Sequence, residues 1–348
     1  MPHEDMPMKM LTCTWAPTVF AAPQWLHGTR RRELPPGEEF KERSLGRVRQ
    51  IEDLGISHLL VAQRWWGSGE EIEASSLDCL DMTTLFAAHT EKIQLITAVH
   101  PGFFQPGAIA KWGATMDHLT GGRWSINLTS GWHLKEFEMY GVDPLEHDER
   151  YARSEEFLQV LRGVWDNEEF SFEGDHYRVQ GLRLEPRPAT ALTVYQGGQS
   201  DAAIAMAARR SDWMFMNGGP PEKIAGIIEK VRGETAKSGR DVRFAMHAHP
   251  LCRATDEEAW KEIETRAAAL DPRLLERRHD STSGAEGMWA SPDDVLSHLD
   301  TNEGYAARLI GRPETIMERI ETFREIGIEM LHLSLGDRMF EEVVLPDL

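Results

Sequence analysis

The sequence predicts an α/β protein folded as a (β/α)8 TIM barrel with insertions, read as one domain over residues 1–348. Three observations predict it. Strand-like segments centre near residues 9, 59, 95, 126, 193, 214, 245 and 332, and helical stretches fall between them. Strict alternation of the two calls for a parallel sheet. Eight such units broken by single long insertions favour a closed barrel over an open sheet. Finally, no Gly-x-Gly-x-x-Gly follows any of these strands, which argues against a built-in dinucleotide-binding half.

The elements follow in order. Met8 to Thr14 reads as the first strand, and Trp15-Ala16-Pro17-Thr18 breaks it. Within the insertion over 15–38, residues 21–38 hold three prolines and Arg30 to Arg32; a solvated loop or subunit contact outweighs an anion site there. Glu39 to Leu54 is helical, Gly55 punctuates it, and Ser57 to Ala62 is a strand running into Gln63-Arg64-Trp65-Trp66. Asp78 to Thr90 is helix and Ile93 to Val99 strand. Pro106 to Leu119 is a helix with proline in its first turn, where the missing N–H costs nothing. Gly121 and Gly122 can take the left-handed conformation that ends it.

Arg123 to Thr129 is the next strand, with Trp124, Ile126 and Leu128 on one face. A polar insertion over 130–150 leads into a helix from Arg150 to Asp166. The insertion over 166–190 contains a hairpin from Glu169 to Val179 around Gly174-Asp175. Then come strand Leu192 to Tyr195, helix Asp201 to Arg209, strand Asp212 to Met216, helix Pro221 to Ser238, strand Val242 to Cys252 and helix Asp256 to Leu270. Residues 271–304, polar and glycine-containing, read as an active-site lid. Helix Thr315 to Ile326 and strand Met330 to Ser334 close the pattern.

A formal net charge of −19 argues against a nucleic acid or anionic membrane as partner, since both need a basic footprint. A small anionic ligand needs only a few local cations. Cys13, Cys79 and Cys252 lie in separate elements without Cys-x-x-Cys spacing, which points to buried thiols in a reducing compartment. The start, Met-Pro-His-Glu-Asp, lacks a secretory pattern, and no apolar run reaches the ~20 residues of a membrane span. A cytoplasmic location is expected.

In a barrel the strand ends share one mouth. Trp15, Gln63, Arg64, His100, Asn127 to Trp132, Gly197 to Ser200, Asn217, His247 and His249 would meet there, a rim suited to a flat polar ligand carrying phosphate. Gly197-Gly198-Gln199-Ser200 running into a helix offers backbone N–H groups and a helix amino end. Arg150 and Tyr151 add a cation and a hydroxyl. His247 and His249, two apart on a strand, share a face. They could serve as acid–base groups, as metal ligands with His100 or Asp212, or as hydrogen-bonded wall residues. Trp15, Trp65, Trp66, Trp132, Trp213 and Trp289 divide between core and an apolar cage that keeps water out.

Four segments carry a resemblance: Thr120 to Trp132, Glu136 to Phe157, Tyr195 to Asp201 and Leu309 to Glu314. Together they resemble the bacterial luciferase-like flavin monooxygenases, in the group of the alkanesulfonate, dimethylsulfone and pyrimidine enzymes; weaker similarity runs from about residue 45 to the end. The resemblance implies a luciferase-like barrel that takes reduced FMN from a separate NAD(P)H-dependent flavin reductase. It implies use of O2 to oxygenate a small organic substrate, with an organosulfur compound as the candidate, and C–S or C–N cleavage. It puts flavin contacts on Gln63, Arg64, Asn127, Glu136, Arg150, Tyr151 and Ser200, with Gly198 in the phosphate turn. His249 is then the catalytic acid, His247 its assistant, and Trp15, Trp65, Trp132 and His100 the substrate pocket, with no metal. A homodimer or homotetramer is implied too. Where the alkanesulfonate enzymes carry arginines, this chain has His247 and Asn302; a tyrosine of theirs falls near Gly336, and a cysteine of theirs falls within Arg64 to Gly67. These departures point to a less charged substrate. A deazaflavin-dependent oxidoreductase, a non-catalytic flavin-binding protein and a metal-dependent hydrolase are the alternatives.

Overall fold

The computed structural model of the chain describes residues 9–21, 37–65, 73–270, 295–300 and 302–348. Arg30 to Arg32, Trp66, Trp289 and most of the expected lid, 271–294, lie outside the described residues.

Eight parallel strands close into a barrel: β1 (Leu11–Trp15), β2 (His58–Val61), β3 (Gln94–Val99), β4 (Trp124–Leu128), β5 (Val194–Gly197), β6 (Trp213–Met216), β7 (Arg243–Ala248) and β8 (Ile328–Leu333). Neighbours in the chain are neighbours in the barrel, and β1 closes it by pairing with β2 through Cys13 opposite His58 and with β8 through Leu11 opposite Met330.

Residue alternation along each strand separates two apolar layers. Cys13, Leu60, Ile96, Ala98, Tyr195, Trp213, Phe215, Ala245 and Met330 fill the barrel. Leu59, Val61, Leu95, Ile126, Leu128, Val194, Met214, Phe244 and Leu331 face the helices. Tyr195 stacks between Trp213 and Phe215, with centroids 5.5 and 5.3 Å away. The Arg243 guanidinium covers Trp213 at 4.0 Å and pairs with Glu329. Trp213 is thus core.

The helices are α1 (Gly37–Asp53), α2 (Cys79–Ala87), α3 (Pro106–Thr120), α4 (Leu134–Met139), α5 (His147–Asp166), α6 (Asp201–Arg210), α7 (Pro221–Ser238), α8 (Asp256–Ala268) and α9 (Pro313–Ile326). Proline opens α3, and Gly121 ends it at φ +65 with its N–H on the Asp117 carbonyl, as the sequence predicts.

Two boundaries differ from expectation. The strand expected to run to Cys252 stops at Ala248, because Pro250 brings no N–H to the ladder; Leu251–Cys252 leaves the barrel and pairs with Ile310–Gly311. The hairpin pairs Phe170–Glu173 with Arg178–Leu182, and the Glu156 carboxylate accepts the turn N–H groups of Asp175, His176 and Tyr177 at 2.8 to 3.0 Å. A short antiparallel pair, Val19–Ala21 with Glu73–Ser76, was not expected.

The three thiols are free and buried, and burial pushes their ionisation up, Cys252 to about 11. No helix among the described residues is long and apolar enough to cross a membrane.

Candidate active site

Parallel strands point every carboxyl end at one mouth, and a cavity opens there. Trp15 ends β1, Gln63 and Arg64 follow β2, His100 follows β3, and Asn127 sits on β4 with Thr129 to Trp132 beyond it. Arg150 and Tyr151 enter from α5, Gly197 to Gln199 from the end of β5, Phe215 to Asn217 from β6, His247 from β7 and His332 from β8.

At one edge the chain makes an anion cradle. Gly198 has φ +131, and a Cβ there would lie 2.9 Å from both the Tyr151 hydroxyl and the Ala203 side chain. Only glycine lets the turn approach Tyr151 so closely. The Ser200 hydroxyl accepts the Ala203 N–H as the N-cap of α6, so the positive helix end lies beside the turn. Buried Arg150 donates to the Leu145 carbonyl at 2.8 Å.

Further in, the wall is made of amides. Gln63 accepts the His100 backbone N–H at 2.8 Å, while its Nε2 has no hydrogen-bond partner among the described residues. Asn127 Oδ1 and Gln199 Oε1 are likewise buried without a partner there. Three unmet amide groups in one cavity would each cost ~1–3 kcal/mol, so the site is built for a polar ligand that supplies their bonds. One donor and two acceptors suit the edge of a flavin ring, the cradle suits its phosphate, and Trp15 and Phe215 offer apolar surface. The residues present fit FMN.

The opposite wall carries a histidine cluster. His247 Nδ1 lies 3.3 Å from His332 Nδ1, and His247 Nε2 lies 3.7 Å from an Asp300 carboxylate oxygen. The same oxygen is 3.3 Å from His249 Nδ1. Burial would raise the Asp300 carboxyl, but the two imidazoles outweigh it and hold the group well below the usual range. Burial, then the neighbouring His247, drives His332 well below an ordinary imidazole. Trp15 meets His332 edge-on at 4.3 Å.

Ten of the expected site residues therefore line the cavity: Trp15, Gln63, Arg64, His100, Asn127, Trp132, Arg150, Tyr151, Gly198 and His247. Four do not. The Trp65 ring packs on Phe103, Phe104 and Tyr140 and is not among the residues lining this cavity. Glu136 is buried behind the wall, accepting the Trp65 N–H at 2.6 Å and lying 3.7 Å from His100 Nδ1. Burial raises that carboxyl, yet the His100 contact and the Trp65 N–H bring it below its ordinary value. Ser200 caps α6. His249 stacks on Tyr305 at 4.0 Å and lines a separate surface pocket, with a link to the cavity that runs through Asp300 to His247. Burial, partly opposed by Asp300, lowers it.

Sequence reasoning missed His332 and Asp300. An imidazole between Leu331 and Leu333 reads as a wall residue, and Asp300 fell within a stretch taken for a lid. Asn302, noted only where it departs from a family pattern, lines the cavity and donates to Asn217 Oδ1 at 3.2 Å. Among the described residues no group of three or more His, Cys, Asp or Glu is placed to hold a metal.

A family model described as luciferase-like monooxygenase matches residues 25–330. An FMNH2-dependent dimethylsulfone monooxygenase of Pseudomonas fluorescens (strain Pf0-1) is 36% identical over 310 residues, covering 85% of this chain and 84% of that protein. One from Pseudomonas putida is 38% identical over 275 residues, covering 74% and 75%. Among solved structures, the EDTA monooxygenase of Chelativorans sp. BNC1 superimposes with a TM-score of 0.78 at 19% identity, over 97% of this chain and 93% of that one, a likeness of fold.

Proposed function

The chain belongs to the luciferase-like monooxygenase family, and from that membership we propose a two-component, FMNH2-dependent monooxygenase that uses O2 to oxygenate a small organosulfur substrate, a sulfone before a sulfonate, with C–S cleavage. The observation that carries the reading is the cavity itself, with three unpartnered amide atoms beside a glycine-and-arginine anion cradle. The relatives named for dimethylsulfone supply the substrate class. His247 stands where a sulfonate enzyme of the group would keep a permanent cation, which favours a neutral substrate.

Reduced FMN, when bound, supplies the electrons with which one oxygen atom of O2 is delivered to the substrate. This chain's part is binding, orientation and exclusion of water. Arg150, Tyr151, the Gly198 N–H and the α6 amino end hold the phosphate. Gln63, Asn127 and Arg64 fix the ring, and Trp15, Trp132 and Phe215 keep water from the reacting face. His247 supplies the acid–base group of this wall, and His249 acts behind it on Asp300. Glu136 supports the flavin wall through His100. A separate NAD(P)H-dependent flavin reductase, a homodimer or homotetramer and a cytoplasmic setting complete the reading; the buried free thiols agree with the last.

The test is anaerobic fluorescence titration with reduced FMN, oxidised FMN and a reduced deazaflavin, for the wild type and Arg150→Ala. Turnover of dimethylsulfone with isotopically labelled O2 and an added flavin reductase follows. Reduced FMN should bind best, Arg150→Ala should weaken it, and label should enter the product. Preference for the deazaflavin, or no flavin binding at all, would end the proposal.

A further inference from the structure

We propose that His332 and His247 form a proton-switched pair, in which a second proton on His247, at Nδ1 and offset by the Asp300 carboxylate beside it, sets whether His332 Nε2 accepts from or donates into the cavity. The two imidazoles meet Nδ1 to Nδ1 at 3.3 Å, so one must donate and the other accept. His332 Nε2 is buried, belongs to a cavity-lining side chain, and has no hydrogen-bond partner among the described residues. Its job is therefore toward whatever occupies the cavity.

Two arrangements satisfy the pair. With His247 neutral and its Nε2–H toward Asp300, His247 Nδ1 is a bare acceptor. His332 then carries its proton on Nδ1, and its Nε2 is a bare acceptor too. When a group in the cavity gives a proton to His332 Nε2, the Nδ1 proton of His332 passes to His247 Nδ1. His332 ends neutral with Nε2–H, and His247 ends as the cation. The reverse passage returns the proton. No charge rests on His332, which is walled by Trp15 and Phe215 at 4.3 and 5.7 Å and resists protonation because of that burial. The charge sits on His247 beside an anion.

The anion is held in place for this. Asp300 Oδ1 accepts the N–H groups of Asn302 at 3.2 Å and Gly304 at 2.8 Å, leaving Oδ2 for the imidazoles. Gly304 rests directly on His247, since a Cβ there would fall 2.7 Å from its Cδ2. Other polar and charged groups around His247 are few among the described residues. His332 comes from β8, the Ser334 hydroxyl, 3.4 Å from Nε2, from just beyond it, and His249 from just beyond β7. Asp300 and buried Glu303 come from the neighbouring loop, Glu303 engaged by Lys223 and Asn217. Arg64 lies over Trp15, and Arg266 reaches Tyr305 behind His249.

The proposal rests on the flavin and substrate reading only for what His332 acts on; its test needs neither. Nitrogen-15 histidine NMR of the whole ligand-free protein, with His247→Gln and His332→Gln spectra for assignment, reads the protonated ring nitrogen directly across a pH titration. The expected result is one midpoint at which His247 becomes doubly protonated while His332 moves its proton from Nδ1 to Nε2 and stays neutral. Asp300→Asn keeps an acceptor for Asn302 and Gly304 but removes the charge, so the midpoint should fall by about one pH unit or more. A His332 that keeps one tautomer throughout, a His247 that never titrates, or a midpoint unmoved in Asp300→Asn would each overturn the pair. Failure of FMN to bind would sink the functional reading and leave this result standing.

Discussion

Gly198 and Tyr151 are in contact across the mouth of the barrel: a single added methyl at Gly198 would sit 2.9 Å from the tyrosine hydroxyl, on a backbone already at φ +131. Gly198→Ala must therefore move the turn, Tyr151 or both, and the cradle opens on the side facing Arg150. The dissociation constant for reduced FMN should rise by about tenfold or more, equivalent to ~1.4 kcal/mol, with the far-ultraviolet circular dichroism unchanged. Unaltered binding would mean that the phosphate sits elsewhere.

His58 predicts an acid-labile barrel. It lies at the start of β2 with Nδ1 2.8 Å from the Ser57 hydroxyl and its ring against Tyr195. Burial, with Arg243 adding repulsion, lowers it from 6.5 to about 4. An imidazole harder to protonate in the folded chain than in the unfolded one favours folding fully above 6.5, and that advantage is lost as pH falls toward 4. Between pH 7 and pH 5 the loss should be about 2 kcal/mol, read from urea midpoints, and His58→Gln should flatten that slope. A slope equal in both proteins would refute it.

The order of strands and helices was legible because each strand is a short apolar run bounded by glycine, proline or charge, and each helix carries its own start and stop. Ends were less so: one proline at 250 moved the close of β7 by several residues. In the site, Asn127 and Gly198 were legible because strand-end position alone brings them to the mouth, whereas Arg150 and Tyr151 enter from α5 and were legible through the family resemblance. Trp65 and His249 look like mouth residues by the same rule, yet packing on Phe103 and stacking on Tyr305 remove them from the cavity. The bond from Asp300 to His249 spans 51 residues of sequence and leaves no local pattern.

Glu136 shows what a buried residue behind the wall controls. It holds the Trp65 N–H and faces His100, whose own N–H binds Gln63, so one carboxylate steadies a chain of contacts ending at the cavity. Glu136→Ala leaves buried donors unmet and should cost ~1–3 kcal/mol in unfolding free energy. It should also weaken FMN binding without any direct contact, while Glu136→Gln, which can still accept the Trp65 N–H, should lose less of both. Equal losses would mean that the charge toward His100, not the Trp65 bond, is what matters.

Asn302 gives the sharpest test of substrate charge. It lines the cavity, donates to Asn217, and by the resemblance stands where alkanesulfonate enzymes are expected to carry arginine. A buried sulfonate needs a fixed cation to offset its lost hydration, and neither Asn302 nor His247 supplies one permanently. The wild-type enzyme should therefore turn over dimethylsulfone with a kcat/KM at least about tenfold above that for methanesulfonate, and Asn302→Arg should narrow or reverse the gap by a similar factor. Paired kinetics with both substrates decide the matter: a wild-type preference for the sulfonate would show that Arg64 or another cation already serves the anion, and the neutral-substrate reading would fall.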